Sequence, residues 1–402
     1  MTLGQRIDEI RTGFERPFWI ANVTEIFERL SYYAVFAVLA LYLNKALGFP
    51  VAQASSLTGL FGGAVWVMAI FGGALADRIG FRRALSSAYL ILTVAYFLIG
   101  SVGAGWMAPV LFLPALGVAL VKPSVVGTTA RASKESVRSL GYAIYYTMVN
   151  VGSFCGPFLA GLLLVPETIF RVAALSVLVM FFVVLLFFKE PRPEERAAAP
   201  TLRQVARNLV TVLGNWKFLI FLLIFSGYWV VFWQQYEILP IYIQDYVDAH
   251  ANTAMILITD PLIVITLTVA VSALTRRIPA VTAITLGTLV TSVGWLVLAA
   301  LHSVLGAVLS LALVALGEIT LSPRYYEYIS RLAPSGQEGT YLGFAFLPIG
   351  IGSLIGGPLG GMLLAHFGEA LHRPVFIFPI VTAVGLVTAL LLWAYDVGLR
   401  RR

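Results

Sequence analysis

The chain is short of charge. Asp, Glu, Lys and Arg supply 12% of its 402 residues, whereas 59% are hydrophobic. Soluble globular domains carry about twice that charged fraction, so a fold surrounded by water is excluded and a membrane protein is expected. Cysteine is nearly absent: Cys155 stands alone within an apolar run. That excludes an internal disulfide and a thiolate metal centre, and leaves it a packing role. His250, His302, His366 and His372 all fall near the outer ends of apolar runs, so an interior proton relay would rest on carboxylates rather than imidazoles. No serine, histidine or metal-ligand constellation stands out, so no catalytic residue, metal or cofactor is expected.

What fills the sequence is apolar runs of about 20 residues, the length that crosses a hydrocarbon core of roughly 30 Å. They fall near 17–44, 53–76, 84–101, 107–130, 139–165, 171–188, 216–244, 253–274, 280–301, 305–328, 339–366 and 374–395. An all-α integral membrane protein of twelve transmembrane helices is predicted. The strands of a membrane β-barrel would be about half as long and would alternate in polarity. The first run is too long, and too polar at its centre, for a cleavable signal peptide. Short cytoplasmic loops hold the excess of Lys and Arg. With the N-terminus inside, that side collects most of them, including Arg78, Arg82, Arg83, Arg131, Lys134, Arg276 and Arg277, while Lys45, Arg171 and Arg373 stay outside. Both termini are therefore predicted to be cytoplasmic. The net charge of +7 is this topological bias, not a nucleic-acid patch.

The one long polar segment, KEPRPEERAAAPTLRQVARNLVTVLGN at 189–215, has three prolines and then an amphipathic basic stretch predicted to lie on the cytoplasmic membrane surface. It links two six-helix bundles, 17–188 and 216–395, flanked by an N-terminal cytoplasmic segment, 1–16, and a basic tail, 396–402. The bundles repeat one another. ALGVALVKP at 115–123 returns as ALGEITLSP at 315–323, GSFCGP at 152–157 as GSLIGGP at 352–358, and ALADRI at 74–79 as ALTRRI at 273–278. A parallel repeat of six helices joined by a cytoplasmic linker resembles the major facilitator superfamily, whose substrates bind near the midplane between the halves. GGALADRIGFRRAL at 72–85 is similar to that superfamily's signature between helices 2 and 3. Gating or structural roles are expected for Asp77, Arg78 and Arg82.

Against this background TEIFERLSYY, residues 24–33, is an anomaly. A charged side chain at the bilayer centre costs about 2.5–3.5 kcal/mol on insertion scales and usually faces a partner or a water-filled cavity. On a helix, Glu25, Glu28, Arg29 and Tyr32 fall within an arc of about 100°. Lys122 lies past the middle of helix 4 and Glu318 near the middle of helix 10. Repeat equivalence places them about one turn apart in depth on corresponding helices. A cation on one wall and a carboxylate on the other suit a zwitterion; the alternative is a set of ion pairs that stabilises the bundle. Asp260, before Pro261 in helix 8, reads either as a kinked, water-exposed site or as a structural residue of the outer leaflet. Arg324 and Glu327 read as an ion pair or gate at the cytoplasmic end.

Glu25-Ile-Phe-Glu28-Arg29, followed by Ser31-Tyr32-Tyr33, resembles the ExxER motif of proton-dependent oligopeptide transporters, the peptide-carrying branch of that superfamily. GVALVKPSVVG with Lys122 resembles that family's helix 4, YYTMVNVGS with Asn150 its helix 5, and GEITLSP with Glu318 its helix 10. The resemblance implies that Arg29 and Lys122 meet a peptide carboxylate, Asn150 the peptide backbone and Glu318 its amino terminus. It further implies that Glu25 and Glu28, with Arg29, take part in proton coupling and that Tyr32 and Tyr33 line the pocket; Trp233 and Gln234 of helix 7 are expected to bind substrate beside them.

Three features depart from the family. Trp233 stands where helix 7 would carry Glu, and Ala345 where helix 11 usually has Trp. The linker is too short for the two additional helices common in bacterial members. Glu237, one turn past Trp233, reads either as a displaced carboxylate or as a residue at the helix boundary. The expected function is proton-coupled symport of small peptides or peptide-like zwitterions by alternating access. The chain would be a monomer in a cell membrane such as the bacterial inner membrane, with protons, bilayer and substrate as its partners and the proton gradient as its energy source. The competing reading is a proton-driven antiporter exporting a drug or metabolite, because GSFCGPFLAG at 152–161 is close to the helix 5 glycine-proline motif of superfamily antiporters.

Overall fold

In the computed structural model, residues 12–191, 214–333 and 343–400 are described, together with positions 204, 207, 210, 212 and 341. Most of the linker, with its expected surface helix, lies outside them, as do the last two residues of the tail. The described chain is helical: α1 (Arg16–Leu41), α2 (Val51–Ile79), α3 (Phe81–Ile99), α4 (Met107–Arg131), α5 (Arg138–Leu163), α6 (Pro166–Phe187), α7 (Trp216–Phe232), α8 (Thr259–Thr275), α9 (Ala280–Leu301), α10 (Val304–Leu332), α11 (Leu347–Leu363) and α12 (Ile377–Arg400). With their short helical extensions, twelve spans among the described residues are long and apolar enough to cross a membrane. The chain is a multi-pass membrane protein.

Two predicted helices are not continuous. The run 216–244 divides into α7, a four-residue helix Gln234–Glu237 and an eight-residue helix Leu239–Tyr246. Pro240 occupies the first turn of the last piece, where its missing N–H costs nothing, while in a helix interior it would remove a backbone bond. The run 253–274 likewise breaks at Ile258, between a short helix Thr253–Leu257 and α8, with Pro261 in the first turn beyond. Breaks of this kind re-aim side chains, and both bear on the sites below.

The molecule divides into two compact units. The first contains residues up to Val35, Met68–Leu159 and Leu163–Ala206; the second contains Phe36–Val67, Ala160–Leu162 and Arg207 onward. Within the first unit, helix contacts depend on missing side chains. Pro123, inside α4, has no N–H to offer the carbonyl of Ala119, and that oxygen faces Gly72 of α2, where an added Cβ would stand 1.7 Å from it. At Gly152 and Gly156 of α5 an added Cβ would come within 2.6 Å of the Ile26 and Leu30 carbonyls of α1. The turn from α2 to α3 uses Gly80 at φ 91°, which a side chain would oppose. Glu190 covers the N-terminus of α3, accepting from the backbone N–H groups of Phe81 and Arg82 at 2.8 and 3.0 Å. Within the second unit, residues 36–67 belong with α11. An added Cβ at Gly59 would stand 2.5 Å from the Ser353 carbonyl, and one at Gly63 2.7 Å from that of Gly350.

Candidate functional site

In the first unit the acids and bases of α1 form one buried group. Glu25, Glu28 and Arg29 have no exposed surface. Arg29 donates to Glu28 through Nε at 2.5 Å and Nη2 at 2.6 Å, a two-point carboxylate grip, and its Nε lies 3.8 Å from Glu25. The grip holds neighbouring residues on α1, while Glu25 stands one turn back on the same face. Lys122 of α4 reaches Glu25 at 3.4 Å. Two carboxyls thus face two cations, which is how a buried charge set avoids a net charge in low dielectric. The Arg29 guanidinium lies over the Tyr32 ring, 4.8 Å from its centroid, and Tyr33 meets Tyr32 edge-on at 5.1 Å. Arg29 Nη1, buried, has no hydrogen-bond partner among the described residues. Asn150 donates from Nδ2 to the Tyr146 carbonyl of its own helix at 2.8 Å.

The sequence led to the α1 group but not to the Lys122–Glu25 pair. Nothing in helical periodicity says which of the α1 acids a lysine on α4 will reach.

In the second unit the structure assembles a different set. Asp260, expected in one reading to be water-exposed, is 6% exposed; the break before α8 turns it inward. It accepts from Gln235 Nε2 at 3.3 Å, and Glu318 on α10 is its neighbouring carboxyl. Gln235 was not among the expected site residues, although a Gln-Gln pair inside an apolar run is a signal of the same kind as an intramembrane charge. Trp233 and Gln234, expected to bind substrate, are turned onto α11 instead. Trp233 Nε1 donates to the Ile349 carbonyl at 3.0 Å, and Gln234 Nε2 to that of Gly356 at 3.2 Å. Glu237, taken in one reading as a boundary residue, is fully buried beside them.

The expected gating residues are near helix ends. Asp77 accepts from Arg131 at 2.9 Å, Arg78 is exposed, and Arg82 donates to the Leu185 carbonyl at 2.6 Å. Arg324 pairs with Glu327, which also meets Arg331 at 2.5 Å.

The family model of the Major Facilitator Superfamily matches residues 23–347. The chain belongs to the Major Facilitator Superfamily. The family and fold are those of a membrane transporter, and relatives lie on both sides of the peptide-or-drug question. A di-/tripeptide transporter of Lactococcus lactis subsp. lactis (strain IL1403) is 30% identical over 164 residues, which is 38% of this facilitator and 33% of that protein. The chain thus matches only about a third of the length of that relative. The multidrug resistance protein MdtH of Salmonella newport (strain SL254) is 22% identical over 371 residues, 91% of each chain. A solved POT family transporter in complex with a thioalcohol-conjugated peptide superposes with a TM-score of 0.80 at 18% identity, covering 95% of this chain and 96% of the other. Another, in complex with 5-aminolevulinic acid, gives 0.79 at 19% identity, covering 94% and 96%. At these identities the two structures establish the fold.

Proposed function

We propose that this facilitator is a divergent member of the proton-dependent oligopeptide transporters and moves small peptides or peptide-like zwitterions with protons, by alternating access. The observation that carries this reading is the buried Arg29. Its Nε and Nη2 are given to Glu28, while Nη1 finds no acceptor among the described residues. A donor desolvated and unpaired is costly unless a ligand completes it, and a carboxylate is the planar acceptor that a guanidinium fits in two-point geometry. Lys122 supplies a second cation in the same unit, and the Asp260–Glu318 pair of the other unit supplies acceptors for an ammonium. Both signs of a zwitterion therefore find a counter-charge on this chain.

Coupling follows by linkage. The proton affinity of Glu25 and Glu28 depends on whether Arg29 and Lys122 pair with them or with a substrate. Substrate then alters proton binding, and protons alter substrate binding by the same factor. The proton gradient would be the energy source, with no cofactor, in a monomer whose termini face the cytoplasm of a bacterial inner membrane. The test is uptake of labelled dipeptide into proteoliposomes under an inward proton gradient: accumulation above the equilibrium level, abolished by a protonophore, is expected. A chain that accumulated no dipeptide or zwitterion under either gradient direction would defeat the reading.

The second reading, proton-driven export of a drug or metabolite, is favoured by the match to MdtH over 91% of both chains. Counterflow of a cationic dye under an outward-directed load, with no dipeptide uptake, would decide for it.

A further inference from the structure

Three spans have an end at one corner of the first unit: α2 stops at Ile79, α3 starts at Phe81 and α6 stops at Phe187. Between them lies a cavity of about 440 Å³. Its walls are of two kinds, the apolar side chains of Ile79, Leu186 and Phe188 and the charged ones of Arg82, Arg83, Lys189 and Glu190. Where membrane-spanning helices end, hydrocarbon gives way to headgroups, and the cavity sits at that level.

The charge around it is unbalanced. Three cations face one carboxylate, and that carboxylate is already engaged: Glu190 Oε1 accepts from the backbone N–H of Phe81 at 2.8 Å and Oε2 from that of Arg82 at 3.0 Å. Arg82 is held against α6 by donating Nη2 to the Leu185 carbonyl at 2.6 Å, while Arg83 and Lys189 are exposed. Among the described residues none of the three cations forms an ion pair. A fourth, Arg16 of α1, lies over the Phe187 ring, 5.7 Å from its centroid. Cations gathered at the edge of a span attract an anion from the membrane surface.

The apolar wall continues past the cavity. Leu186 is 69% exposed, and Phe182, Val179 and Leu175 of α6 are exposed as well. Intervals of four, three and four residues place them in one stripe, which runs from the cavity into the apolar length of the span. A free phosphate ion would use the cations and gain nothing from the stripe. A zwitterionic phospholipid would bring an ammonium in need of a carboxylate, and both oxygens of Glu190 are taken. An anionic phospholipid uses both kinds of wall, because its phosphate suits guanidinium donors and its chains cover the stripe.

We propose that this cavity binds one anionic phospholipid, its headgroup phosphate held by Arg82, Arg83 and Lys189 and an acyl chain laid along Leu186, Phe182, Val179 and Leu175. The site shares no residue with the α1 charge group or with Asp260 and Glu318, and it needs no assumption about what the chain transports.

The test is native mass spectrometry of the full-length purified protein, delipidated in detergent and titrated with dioleoyl phosphatidylglycerol, dioleoyl phosphatidylethanolamine or inorganic phosphate. The first phosphatidylglycerol is expected to bind more tightly than the first phosphatidylethanolamine, and inorganic phosphate should not displace it. Arg83→Gln and Lys189→Gln, both at exposed positions, should each weaken phosphatidylglycerol about fivefold, the worth of one basic residue near an anionic lipid surface, and the difference should shrink as salt is raised. Leu186→Gln should weaken the lipid through the apolar wall alone, with its salt dependence unchanged. Arg276→Gln/Arg277→Gln removes two exposed cations of the second unit and should leave the first lipid as tightly bound as before. Equal affinity for the two phospholipids, displacement of the lipid by phosphate, or equal losses in Arg83→Gln/Lys189→Gln and Arg276→Gln/Arg277→Gln would overturn the proposal.

Discussion

Lys122 Nζ lies 3.4 Å from Glu25 Oε1, joining α4 to α1 through a pair in which the acid is fully buried and the lysine 9% exposed. The pair completes a four-membered group of balanced charge with Glu28 and Arg29. Its members are therefore coupled, and removing one exposes the rest.

Lys122→Gln is expected to weaken substrate binding and to lower stability by about 3–5 kcal/mol, the usual cost of stranding a buried partner. The double variant Lys122→Gln/Glu25→Gln should recover much of that stability while binding stays weak. Thermal unfolding and substrate-induced stabilisation of the purified protein read the two effects apart. Additive losses in the double-mutant cycle would show that the pair is not coupled.

Glu25→Gln and Glu28→Gln should each abolish gradient-driven accumulation while leaving exchange of labelled for unlabelled substrate largely intact, since exchange requires no net proton movement. Arg29→Gln should impair both, because the guanidinium serves substrate as well as the acids. If both acid variants still concentrate substrate with wild-type proton stoichiometry, the α1 group is a structural ion-pair network.

Asp260 and Glu318 are neighbouring carboxyls, so Asp260→Asn and Glu318→Gln should each alter the pH profile of substrate binding. If the two neighbouring carboxyls titrate as a coupled pair, the double variant should resemble either single one rather than their sum. Binding measured by isothermal titration across pH checks this; independent, additive shifts would show that the pair carries no coupling.

Gly156→Ala should destabilise the protein by about 1–3 kcal/mol, as overpacking does, because the new methyl would meet the Leu30 carbonyl at 2.6 Å. Gly105→Ala, where nothing lies within 4 Å, should change stability by less than about 0.5 kcal/mol. Unfolding temperatures of the two variants in detergent give the comparison, and equal values would refute close approach of α5 to α1.

The sequence by itself determined the membrane class, the twelve spans, the repeat and the α1 charge group. These depend on local properties: apolar run length, internal similarity, and the fixed 100° step that places Glu25, Glu28, Arg29 and Tyr32 on one face. Tertiary structure decided the partners. Lys122 found Glu25, Asp260 found Glu318 and Gln235, and Glu237 turned from an apparent boundary residue into a buried acid beside Ser353. Each of these depends on how closely two helices approach and how they are rotated about their axes. Glycines such as Gly59, Gly156 and Gly356 set the approach, and the breaks at Trp233 and Ile258 set the rotation. Hydropathy averages over both, because a residue that faces lipid and one that faces a carboxylate across a helix contact occupy the same apolar run.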